Sequence, residues 1–74
     1  MKQAEFEFIV RHIVEEMVAY LIEDTQVSIP EAFDKVYATQ LYNDIQNPKT
    51  HLYRYSPSYL YQRLLAEHIK SPIT

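Results

Sequence analysis

The chain has 74 residues, no cysteine, no glycine and a formal net charge of −3. A chain of this length forms one domain with a small core, and without cysteine neither disulfides nor a thiolate zinc site can reinforce that core. Phosphate-binding loops, the dinucleotide fingerprint and the nucleophile elbow all need glycine, so the corresponding function classes are excluded.

Residues 3–24 have the pattern of one long amphipathic helix. Apolar side chains recur there at three- and four-residue spacing, which places them on one side. They are Phe6, Ile9, Val10, Ile13, Val14, Met17, Val18, Tyr20 and Leu21. This face covers about half of the circumference, more than the roughly 100° of a typical surface helix. We therefore expect the helix to lie at the centre of the fold or to be covered by a second copy of the chain, with Phe8 and Ile22 on its polar side.

Two shorter helices are predicted in the middle of the chain. Residues 28–31 read Ser-Ile-Pro-Glu, a capping box with a proline that the first turn tolerates, so a helix begins there. Its predicted inner face consists of Ile29, Ala32, Phe33 and Val36. Thr39 is the predicted cap of a third helix, with Leu41 and Ile45 facing inward. That helix should end before Pro48, because a residue that precedes proline is pushed out of the helical region.

Four of the seven tyrosines lie between residues 52 and 61. Residues 51–55 are too short to assign, and an extended conformation would place Tyr53 and Tyr55 on one side and Arg54 on the other. Ser56 and Pro57 predict the start of a last helix that continues to about residue 70. Its predicted inner side consists of Leu60, Tyr61, Leu64, Leu65, His68 and Ile69, and its outer side of Tyr59, Gln62, Arg63 and Lys70.

These elements predict a single all-α domain over residues 1–74. We expect a small bundle of three to four helices, in which shorter helices pack on the long N-terminal one. Charge is divided unevenly, since residues 1–47 carry three basic and nine acidic groups while residues 48–74 carry four basic groups and one acidic group. We expect the basic part to fold back onto the acidic first helix, and the alternative is a surface for nucleic acid or an acidic partner.

One group of residues has a spacing that can place metal ligands on one helix face. His12, Glu15 and Glu16 are three and four residues apart, as in di-iron bundles. They lie on the polar side, however, where no matching ligands from other helices are expected. This favours a solvated charged stripe, and we expect no metal and no cofactor.

No combination of residues suggests catalysis. His68, near Tyr61 on an apolar face, is interpreted as a hydrogen-bonded core histidine rather than a general base. Ser56 and Ser58 are explained by helix capping, so no nucleophile is apparent. We therefore expect a protein that is not an enzyme, and no small-molecule substrate is evident.

The tyrosine segment is the most plausible binding surface. Aromatic rings beside arginines can stack, donate hydrogen bonds and attract anions. The candidate partner-binding residues are Tyr53, Arg54, Tyr55, Tyr59 and Arg63. The expected partner is another protein or a second copy of the chain, the second copy docking on the broad apolar face of the first helix.

The alternative function is a small nucleic-acid-binding regulator. Residues 28–46 would then form a helix-turn-helix, or the exposed tyrosines would stack single-stranded bases. Residues 40–46 contain neither arginine nor lysine, and the chain as a whole is acidic. Since phosphate contacts require basic side chains, nucleic acid is the less favoured partner.

The sequence also predicts a cytoplasmic location. Residues 1–7 lack the apolar core of a signal peptide. The longest apolar run, residues 17–22, is too short to cross a bilayer.

Three motifs follow one another along the chain. A helix that opens with Glu-Phe precedes Ser-x-x-Glu-Ala-Phe at residues 28–33, and Leu-Tyr-x-x-Ser-Pro-x-Tyr with Leu-Leu-x-Glu follows at residues 52–67. From Phe6 to about Glu67 this order resembles a family of small bacterial helical proteins of unknown function, some encoded beside toxin-like genes. His51 stands where we expect a glycine before Leu-Tyr. The resemblance implies no catalytic residue and an antitoxin-like interaction partner.

Overall fold

A computed structural model of the chain describes residues 3–70, and side chains to residue 67. The four α-helices are α1 (Gln3–Thr25), α2 (Ile29–Tyr37), α3 (Gln40–Ile45) and α4 (Pro57–Lys70). Two short 3-10 helices, Pro48–Thr50 and Leu52–Arg54, connect α3 to α4. The described part of the chain is therefore an all-α bundle with one long N-terminal helix packed by shorter ones, as predicted. The predicted positions of the side chains of His68, Ile69 and Lys70 lie outside the described residues.

The broad apolar face of α1 forms the centre of the core. Its buried members are Phe6, Val10, Ile13, Val14, Met17, Val18 and Leu21, with Ile9 and Tyr20 half-buried beside them. Met17 has no exposed surface. The rest of the chain supplies the other buried apolar side chains, which are Ala32, Val36, Leu41, Ile45, Leu52, Leu60, Tyr61 and Leu64. Each large side chain that is fully buried stabilises the fold by about 1.5–3 kcal/mol.

This packing shows that α1 lies at the centre of the fold and does not need a second copy to cover it. Helices α2 and α4 and the second 3-10 helix all contact α1, so its apolar face is covered within one chain. The prediction of a homodimer contact through this face is therefore corrected, because the side chains that would form the contact are already buried within one chain. On the polar side, Phe8 is exposed, whereas Ile22 is half-buried against the core.

All three predicted helix caps are present. The Ser28 hydroxyl accepts a hydrogen bond from the N–H of Glu31 at 3.3 Å. The Thr39 hydroxyl accepts from the N–H of Tyr42 at 3.1 Å, and the Ser56 hydroxyl accepts from the N–H of Tyr59 at 3.3 Å. A cap of this kind is worth about 1 kcal/mol.

The prediction that Ile29 faces the core is wrong. Its side chain is 62% exposed, while Val27, in the connection before α2, packs against the core. Val27 precedes the Ser28 cap and joins the same cluster as Ala32, which is the pattern of a hydrophobic staple. Because the staple fixes the direction in which the chain enters α2, the first residue of the helix is left outside.

Glu67 supplies a cap that the sequence did not predict. Its two carboxylate oxygens accept hydrogen bonds from the N–H groups of Gln40, at 2.8 Å, and Leu41, at 3.0 Å. Together with the Thr39 hydroxyl, this carboxylate satisfies the first three amides of α3, and its negative charge is favourable at a helix N-terminus. The hydrogen bonds of Glu67 therefore connect α4 to the start of α3.

Two residues adopt left-handed backbone conformations that glycine would normally fill. Gln26 has a φ of 62° and ends α1, its N–H donating to the Ile22 carbonyl at 2.8 Å. His51, with a φ of 59°, separates the two 3-10 helices. The position at which the sequence led us to expect glycine therefore does require a left-handed conformation. Residues 52–54 form a 3-10 turn, so an extended arrangement of Tyr53 and Tyr55 is not present.

We predict that His51→Gly stabilises the protein. A residue with a Cβ atom costs roughly 1–2 kcal/mol in this conformation, and glycine removes that cost. Glycine also loses more backbone entropy on folding, so the net increase in the free energy of unfolding should be about 0.5–1 kcal/mol. His51→Ala is the control, since it removes the imidazole but keeps Cβ. Urea unfolding should rank glycine above alanine, and the reverse order would contradict the role of backbone strain.

Candidate protein-binding site

Tyr55 and Tyr59 form an exposed aromatic pair. Their side chains are 50% and 46% exposed, and their ring centroids lie 4.9 Å apart with an interplanar angle of 30°. The start of α4 brings them together, because Tyr55 ends the second 3-10 helix and Tyr59 lies in the first turn after the Ser56 cap. Each ring therefore limits the freedom of the other while presenting about half of its surface.

Two exposed arginines accompany this pair. Arg54 immediately precedes Tyr55, and Arg63 lies one helical turn beyond Tyr59, so Tyr59 and Arg63 share a side of α4. Arg63 also lines a shallow depression with Asp44 and Glu67. We refer to Arg54, Tyr55, Tyr59 and Arg63 as the tyrosine–arginine patch.

Tyr53 does not belong to this patch. It is half-buried, and its ring meets that of Phe6 edge-on, with centroids 5.3 Å apart and an interplanar angle of 88°. This geometry is favourable for aromatic pairs and attaches the second 3-10 helix to α1. The expectation that Tyr53 is exposed for a partner is therefore corrected, because the 3-10 turn directs its ring toward the core.

A groove that the sequence did not predict lies between α1 and the α2–α3 pair. Its volume is about 710 Å³. One wall is a row of three aromatic rings. The ring centroid of Tyr37 lies 5.8 Å from that of Phe33 and 4.8 Å from that of Tyr42. The other wall is α1, and its lining residues are Gln3, Phe6, Glu7, Val10, Arg11, Val14 and Glu15. We refer to this feature as the aromatic groove; the only sequence signal for it is the four-residue spacing of Phe33 and Tyr37.

Of the three residues considered as metal ligands, Glu15 lines the aromatic groove, whereas His12 and Glu16 do not. His12 and Glu15 are exposed and Glu16 is half-buried. Within the described residues, no group of three or more histidine or acidic side chains is arranged to hold a metal ion. None of the described helices is long and apolar enough to span a membrane.

Tyr61 is a core residue, as predicted, and its hydroxyl is less acidic than that of an unfolded tyrosine. Its hydroxyl donates to Oδ2 of Asp24 at 2.7 Å, and its ring lies 5.4 Å from that of Tyr20. Burial, the hydrogen bond and the negative charge of Asp24 together raise the pKa of Tyr61 to about 12. These contacts attach α4 to the end of α1, so the shift reflects a structural link.

Comparison of the chain with protein-family models, with curated proteins and with solved structures found no match. The resemblance to small bacterial helical proteins therefore stays a prediction. The candidate binding surfaces are the tyrosine–arginine patch and the aromatic groove.

We predict that the stabilising effect of the Tyr61 hydroxyl is lost in alkali. The pKa is near 10 in an unfolded chain and higher in the folded protein, so the contribution is complete below about pH 10 and is lost as the pH rises toward 12. Tyr61→Phe should cost about 1 kcal/mol near neutral pH.

The measurement is urea unfolding of wild type and Tyr61→Phe at about pH 8 and about pH 11. The difference in unfolding free energy between the two proteins should shrink at the higher pH, because only the wild type loses the contribution of a protonated Tyr61. An equal difference at both pH values would show that the hydroxyl is not held as described.

Proposed function

We propose that this chain is a non-enzymatic protein-interaction module that binds a partner protein through its tyrosine–arginine patch. The observation that carries the proposal is the half-exposed, tilted ring pair of Tyr55 and Tyr59, with the exposed Arg54 next to Tyr55 in the chain and the exposed Arg63 one turn beyond Tyr59. Tyrosine and arginine are among the residues that contribute most to binding energy in protein interfaces.

The arrangement of the rings supports binding at low entropic cost. Ordering a flexible side chain in an interface costs about 0.5–1.5 kcal/mol. Tyr55 and Tyr59 already pack on each other, and Tyr59 lies on a capped helix, so much of this ordering is complete before a partner arrives. Tyrosine also supplies a large contact area with few rotatable bonds.

Charge indicates the kind of partner. The patch belongs to the basic part of the chain, where residues 48–74 have a net charge of +3. Arginine can hold a carboxylate through two parallel hydrogen bonds. The proposed partner therefore presents an acidic surface with apolar area for the two rings. An antitoxin-like role, which the resemblance implies, would be one form of such binding.

We predict that Tyr59→Ala combined with Arg63→Ala weakens partner capture about tenfold or more, since losing two contact residues of these types removes at least 1 kcal/mol each. The measurement is quantitative mass spectrometry of proteins cross-linked to the tagged chain in its own cells. Phe8→Ala is the control, because Phe8 is an aromatic side chain that is 73% exposed and belongs to neither the tyrosine–arginine patch nor the aromatic groove.

The helical circular dichroism of the double variant should remain close to that of wild type. Collapse of the helical signal would show that Tyr59 or Arg63 belongs to the core. Equal loss of capture in the double variant and in Phe8→Ala would contradict the assignment of binding to this patch.

Single-stranded nucleic acid is the competing ligand for the same rings. A pair of exposed tyrosines can stack bases, with arginine near the phosphates. We predict no shift of single-stranded oligonucleotides at low salt, because the four basic groups of residues 48–74 are few for the phosphate contacts that hold a polyanion. A shift that falls steeply with salt and disappears in the double variant would assign the patch to nucleic acid.

A further inference from the structure

The aromatic groove has the dimensions of a binding site. Its volume of about 710 Å³ falls within the roughly 300–1,000 Å³ of ligand pockets in proteins. Along α1 it runs from Gln3 to Glu15, which at 1.5 Å per residue is about 18 Å. That length accommodates three turns of a helix or about five extended residues. A short polypeptide segment therefore fits the groove.

The aromatic wall offers its ring surface to a ligand. Tyr37 lies between Phe33 and Tyr42 and is still 48% exposed, while its two neighbours are half-buried. Packing on both sides limits the motion of the Tyr37 ring without covering it. The face of a tyrosine ring attracts the ammonium of lysine and the guanidinium of arginine.

Charge around the groove favours a cation. Residues 3–46, which form α1, α2 and α3, carry nine acidic and two basic side chains. On the α1 wall, Glu7 and Glu15 lie one turn before and one turn after Arg11. A surface with this balance attracts basic ligands and repels acidic ones.

We propose that the aromatic groove is a second binding site, distinct from the tyrosine–arginine patch, and that it takes a short basic segment of a partner polypeptide. An arginine or lysine of that segment stacks on the Tyr37 ring and pairs with Glu7 or Glu15, while an apolar side chain contacts Phe33 and Tyr42. The two surfaces of this small protein thus select segments of opposite charge.

Selection from a phage-displayed library of short random peptides against the full chain tests this site. Peptides that contain arginine or lysine next to an apolar residue should be enriched. They should bind Tyr37→Ala at least tenfold more weakly than wild type and should bind Tyr59→Ala as tightly as wild type, as measured by fluorescence anisotropy. Because Tyr59→Ala alters only the tyrosine–arginine patch, failure of this inference is distinguishable from failure of the proposed function.

A second variant tests the charge requirement without removing a ring. Glu7→Gln combined with Glu15→Gln keeps the shape of both side chains and should weaken the same peptides at least fivefold, with a smaller dependence of binding on salt. Absence of enriched basic peptides, or unchanged binding of such peptides to Tyr37→Ala, would overturn the proposal.

Discussion

Burial of one wide apolar face on α1 determines the rest of the structure. This helix has 23 residues, whereas α2, α3 and α4 have 9, 6 and 14, so no single shorter helix can cover it. Met17 marks the centre of the face and is completely enclosed. Because the chain covers this face by itself, the surfaces that we propose for binding are the tyrosine–arginine patch and the aromatic groove.

A small core of this kind is supplemented by polar contacts between distant parts of the chain. The Tyr61 hydroxyl joins α4 to the end of α1 through Asp24, and the Glu67 carboxylate joins α4 to the start of α3. The chain also accepts backbone strain at Gln26 and His51, since it has no glycine for these left-handed positions. Stability is therefore spread over a few specific contacts in addition to apolar burial.

Features set by neighbouring residues could be predicted from the sequence, and features set by tertiary packing could not. The first helix was expected at residues 3–24 and is found at Gln3–Thr25, and the caps of α2, α3 and α4 lie where serine and threonine indicated. Tyr53 was misplaced because its environment depends on how a 3-10 turn meets Phe6. The cap by Glu67 and the ring row along the groove each join elements whose relative position no local pattern specifies.

One chain buries the apolar face of α1 without a second copy. Amide hydrogen exchange along α1, measured at low and at high protein concentration, reports this burial residue by residue. We expect the amides around Met17 to be among the most slowly exchanging in the protein, at rates that do not depend on concentration. Weak protection in dilute solution that increases with concentration would show that a second copy is needed to cover this face.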